Sequence, residues 1–142
     1  MTQEAYFIFL DMMVCRIDIL RFQMKRETHM LSNELYVNLV LGHFYEIIKL
    51  IFEFDPEGYK SLNMNISKED FKILGEARHS IFHAPGDVQL YKKRSIDLHE
   101  YMGTKGKDTG IYIDRILEYA EKILQENPWL KKFHDEMTSR TV

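Results

Sequence analysis

Cysteine is nearly absent from this chain, and proline, glycine and tryptophan are scarce. The single cysteine, Cys15, excludes an intrachain disulfide, and a lone thiol suits a reducing compartment. Three prolines and seven glycines in 142 residues are too few for a fold of many short strands and tight turns. No uninterrupted apolar run approaches the ~18 residues of a membrane span. The brief apolar stretch at residues 5–10 lies between Glu4 and Asp11 with no basic residue before it, so no secretory leader is expected. A strong charge of one sign is missing too. Lys and Arg number 19 against 22 Asp and Glu, a net of −3, which excludes a chain built as a whole to coat nucleic acid. The expectation is a soluble cytoplasmic protein with no membrane attachment.

What is present is apolar periodicity. Hydrophobic residues make up 45% of the chain, enough for a core, and the length suits one domain over residues 1–142. Tyr6, Leu10, Met13, Ile17, Leu20 and Met24 are spaced by alternating gaps of four and three, a helical stripe. Tyr36, Val40, His43, Ile47, Leu50 and Phe54 repeat it, with Ser32 or Asn33 as the expected N-cap and Asp55-Pro56 as the stop. The short polar connection between the two predicts an antiparallel helical hairpin. A third helix opens at Ser67, which can cap, with Glu69 and Asp70 at the positive end of the dipole. It carries Phe71, Leu74, Ala77, Ile81 and Phe82, and Pro85-Gly86 ends it just after His83.

Residues 88–102 read as an irregular connection with a short helix from about Ser95. Residues 103–110, with three glycines, read as a flexible loop. Tyr112, Ile116, Ala120 and Ile123 then mark a fourth main helix, and Asn127-Pro128 breaks it before a short last one. The expected fold is all-α: four main helices in an up-down bundle plus short accessory helices. Charge is uneven along it. Residues 88–107 hold five basic residues against two acidic, a net of +3, and Lys92, Lys93 and Arg94 form the densest group. They are the candidate contacts to a phosphate backbone.

The stretch most able to carry chemistry is Glu76-Ala77-Arg78-His79-Ser80-Ile81-Phe82-His83. On a helix, Arg78 points to the apolar side with Phe71, Leu74, Ile81 and Phe82, and a buried arginine must be paired or must meet another chain. His83 occupies the last turn, where the dipole favours its protonated form. RNA can be cleaved by its own 2′-hydroxyl, given a base, an acid and positive charge on the phosphoryl oxygens. Imidazole serves the first two near neutral pH and guanidinium the third. The same spacing of arginine and histidine recurs at Arg94 and His99, where no long helix is expected.

Arg78, His79 and His83 in this setting resemble the HEPN superfamily. Its motif is Arg-x(4–6)-His near a helix end in the second half of a small helical bundle, often with Asn, Asp or His just after the arginine. The motif covers six residues, and the helix order resembles the family over roughly the whole chain. The resemblance implies a metal-independent endoribonuclease with no cofactor, of the kind found in toxin–antitoxin, abortive-infection and CRISPR systems. Arg78 would stabilise phosphoryl charge, His83 would be acid and base, and His79 would orient the site or bind phosphate. It also implies a homodimer with RNA as substrate, and an antitoxin or regulatory partner. Arg78 and His83 lie about 140° apart on one helix at ~100° per residue, which suits a cleft completed by a second copy.

Two other readings use the same residues. Glu76 with His79, the i, i+4 pair His79 and His83, and His43 with Glu46 could ligate a metal between helices. A helical binding or dimerisation module without chemistry is the other. The Gly103-Thr104-Lys105-Gly106-Lys107 stretch lacks P-loop spacing and a preceding strand. Cys15 reads as a small buried hydrophobe within the first helix.

Overall fold

The computed structural model describes residues 1–82 and 86–140, with residues 31, 32 and 80–82 as backbone only. Among the described residues the only regular structure is helix: α1 (Gln3–Arg26), α2 (Met30–Phe54), α3 (Pro56–Ser61), α4 (Lys68–Phe82), α5 (Val88–Glu126) and α6 (Pro128–Arg140). The all-α expectation holds.

α1 starts where the Thr2 hydroxyl accepts from Ala5 N at 3.1 Å. It pairs with α2 as an antiparallel hairpin. Tyr6 near its start stacks on Phe54 at the end of α2, centroids 4.3 Å apart, and Asn33 donates to the Met24 carbonyl at the other end. Asn33 is therefore not the N-cap. α2 begins earlier, at Met30 after His29, and Asn33 closes an orphan carbonyl of α1 instead. Leu41, Phe44, Ile47, Ile48 and Ile51 are fully buried, so α2 is the central helix, packed by α1 on one side and α4 on another. Its segment Asn33–Phe54 is also apolar enough to pass as a membrane span by length and composition, with a mean hydropathy of 1.4. A search for unbroken apolar runs overlooks it, because single polar residues interrupt the stretch. In the fold, 39% of that apolar window is buried against neighbouring helices.

Asp55 ends α2 and caps α3, accepting from Gly58 N at 3.0 Å. Its other oxygen takes a 2.6 Å bond from Tyr119, which also bonds Tyr6 at 2.8 Å. Burial, then Tyr119's bond to Asp55, pushes that phenol far above its ordinary value. Burial also raises Tyr6 to about 12. The network ties α1, α3 and α5 together. α4 starts with a reciprocal cap: Asp70 N donates to the Ser67 hydroxyl at 3.0 Å, and Ser67 N to the Asp70 carboxylate at 3.1 Å.

The largest departure from expectation is α5. Residues 88–126 form one helix of 39 residues, not a connection, a loop and a shorter helix. Asp87 caps it through Leu90 N at 2.7 Å. Helical Gly103, Gly106 and Gly110 cost about 1 kcal/mol each relative to alanine, which is what made residues 103–110 read as a loop. Tertiary contacts offset that cost. Leu98, Tyr101, Thr109, Ile113, Ile116 and Ala120 are buried along one stripe. Within the gap from 101 to 109, Lys105 reaches Asp70 on α4, and the Tyr101 and Thr109 hydroxyls bond at 2.6 Å. A charged hydrogen bond contributes about 1.5–3 kcal/mol and a buried aromatic about as much. Burial alone would raise the Asp70 carboxyl, but the bonds from Lys105 and Ser67 outweigh it and hold it below its usual range.

Candidate active site

Arg78 and His79 lie in the last turns of α4, and both are exposed. Arg78 Nε is 2.6 Å from Glu46 Oε1 on α2, with 44% of the arginine side chain open to solvent. Of the two ways of satisfying Arg78, a partner residue or another chain, the structure shows the first. Its position is half open, and Glu46 supplies the countercharge within the same chain. His83, the expected acid and base, lies outside the described residues. Ile81 and Phe82, expected in the core, lie outside the described side chains.

α4 reaches this place because its other face is fixed. Leu74 and Ala77 are fully buried. Phe71 packs on Tyr45, ring centroids 4.8 Å apart, and a Cβ at Gly75 would come within 3.3 Å of the Tyr45 ring. The close approach of α4 to α2 brings Glu46 and Arg78 together. The spacing of Glu46 and His43 allows metal ligands, but His43 sits on the core stripe of α2, where a hydrogen-bonded histidine is the stronger expectation. The structure turns Glu46 toward a cation, and His43 Nδ1 bonds the Leu39 carbonyl at 2.8 Å. Among the described residues, Glu76, His79, His43 and Glu46 do not gather as a ligand set.

The second Arg-x4-His match is better ordered than its sequence suggests. Arg94 and His99 both sit on α5. His99 is fixed by the Ser95 carbonyl at 2.7 Å and by Glu34 at 2.9 Å. Arg94 is partly buried, with Nε and Nη1 shielded and lacking a hydrogen-bond partner among the described residues. Both line a cavity of about 300 Å³ between the first halves of α2 and α5, with Asn38, Tyr91 and Met102. Lys92 and Lys93 are exposed, as a backbone-binding pair must be. Arg94 does not share their outward direction, because its place on the helix turns it toward α2. The sequence signal for this was the stripe Arg94, Leu98, Tyr101, Lys105, which the glycines obscured.

Cys15 is half-buried rather than a core residue. Burial, then the charges of Asp11 and Asp18, pushes its thiol up to about 11, the opposite of an activated nucleophile. No protein-family profile, curated protein or solved structure matches this chain.

Proposed function

We propose that the chain is a HEPN-type, metal-independent endoribonuclease acting as a homodimer, in the manner of toxin or defence proteins with an antitoxin or regulatory partner. The observation that carries the reading is Arg78: it heads the sequence motif Arg78, His79, His83, lies near the end of α4, is held at 2.6 Å by Glu46, and keeps nearly half its side chain exposed. A guanidinium held in place is what a developing phosphorane charge requires. In this scheme the RNA 2′-oxygen bonds to phosphorus and gives its proton to a histidine. The P–O5′ bond breaks and the leaving oxygen takes a proton, leaving a 2′,3′-cyclic phosphate and a 5′-hydroxyl. His83 supplies acid and base, His79 orients the phosphate, and Lys92 and Lys93 hold the flanking backbone. The dimer rests on the family resemblance alone, since Glu46 already answers the charge of Arg78.

The test is cleavage of an RNA against the same strand with 2′-deoxy sugars, in EDTA. RNA should be cut to cyclic-phosphate ends and the deoxy strand left intact. Uncut RNA would favour the second reading, a helical module in which the Arg78–Glu46 pair only ties α4 to α2.

A further inference from the structure

Asp11 and Cys15 are one helical turn apart, so they share a face of α1. That face meets α6, where His134 points back at them: Nδ1 lies 2.8 Å from Asp11 Oδ2. One donor atom from each residue, an oxygen, a sulfur and an imidazole nitrogen, lies within 4.8 Å of the other two. A tetrahedral zinc centre with bonds of about 2.0–2.3 Å has ligand–ligand edges of about 3.3–3.6 Å. The donors need to shift by at most about 1.5 Å to reach those edges. Asp11 is 18% exposed and His134 24%, so the donors are sheltered without being sealed. A cavity of about 540 Å³ adjoins them, and its wall carries Asp18, Glu118 and Glu121 against Lys122, a lining that favours a cation.

We infer that Asp11, Cys15 and His134 form a binding site for a zinc ion, with the fourth position open to water from this cavity, and that the ion fastens α6 to α1. Thiolate, imidazole and carboxylate are the donors that suit zinc over magnesium or calcium. The bound dication takes the place of the thiol proton and of the proton between His134 and Asp11. The structural consequence follows from how lightly α6 is held. Among the described residues Leu130 is its one buried side chain, and the helix packs chiefly on α1 and α5. A zinc bridge joins positions 123 residues apart and so adds to stability by binding the folded chain alone. The site involves no residue of α4 and does not depend on the proposed ribonuclease activity.

The test uses the purified full chain, stripped with chelator and titrated with Co²⁺ and then Zn²⁺. Cys15 is the chain's one cysteine, so a thiolate-to-cobalt charge-transfer band reports on it alone. One equivalent of Co²⁺ should give that band with tetrahedral d–d absorption, and Zn²⁺ should abolish both. Cys15→Ser should lose the charge-transfer band, and His134→Gln and Asp11→Asn should each weaken cobalt affinity at least tenfold. Asp18→Asn should weaken binding only a few-fold, because it removes a nearby charge and not a donor. Zn²⁺ should raise Tm in the parent and not in Cys15→Ser or His134→Gln. Absence of the band in the unaltered protein at one equivalent would overturn the site without any variant having to fold. A band of unchanged affinity in both His134→Gln and Asp11→Asn would also overturn it, since the metal would then sit on the thiol alone.

Discussion

Glu46 Oε1 lies 2.6 Å from Arg78 Nε, so the middle of α2 holds the guanidinium at the end of α4. Both side chains are about a third or more exposed. Such a pair contributes at most about 1 kcal/mol to stability. Its value lies in fixing a direction, and the two roles of Arg78 can therefore be separated by experiment.

Arg78→Ala and His83→Ala should each lower RNA cleavage by about 10²–10⁴ while helix content and Tm stay close to the parent. Glu46→Gln should lower it less, since the guanidinium remains but loses its charged anchor on α2. His99→Ala should leave the rate within a few-fold of the parent, because His99 is already committed to Glu34 and Ser95. Rates on one labelled RNA, with circular dichroism beside them, decide this. Equal losses for His99→Ala and His83→Ala would move the site to the α2–α5 cavity. EDTA should lower Tm by removing zinc from α1 and α6 and leave the cleavage rate intact, so the two proposals fail separately.

Lys92→Gln with Lys93→Gln should weaken RNA binding and flatten its salt dependence by on the order of one unit of log–log slope, at roughly 0.7 for each phosphate that a lysine neutralises on a single strand. Arg94→Gln should leave the slope unchanged, because Arg94 turns into the cavity beside α2. Filter binding across a salt series measures both. A slope change for Arg94→Gln equal to that of a lysine would place all three on one face.

Gly103→Ala and Gly110→Ala should each stabilise the protein by roughly 0.5–1 kcal/mol. A Cβ at either position meets nothing within 4 Å, and neither glycine has a positive φ. Thermal melts of the single and double variants give the answer. No gain would mean that residues 103–110 are not helical in solution.

Asp70 links the start of α4 to Lys105 on α5, and its carboxyl is held below the ordinary range. A folded-state pKa below the unfolded one gives stability that is present above the unfolded value of about 3.9 and lost as pH falls through the folded value. Asp70→Asn should therefore cost about 1.5–3 kcal/mol near neutrality and remove part of the acid sensitivity of the melt. Denaturant titrations at pH 7 and below pH 4 would show the parent and variant converging as the pH drops.

Local sequence suffices for the helical class, the stripes of α1 and α2, the Ser67 cap of α4 and the break at Asn127-Pro128. Each depends on residues within a turn or two of one another, and 3.6-residue periodicity and capping are local properties. The Arg78, His79, His83 motif was legible for the same reason. Tertiary structure alone decided that residues 103–110 are helix. The glycine cost is local, whereas the interactions that outweigh it come from Asp70, 35 residues away, and from the packing of Tyr101 and Thr109. It also decided that Arg78 meets Glu46 and that His134 meets Asp11 beside Cys15. No spacing encodes those pairs, because they arise only where the packing of one helix on another selects which polar side chains face each other.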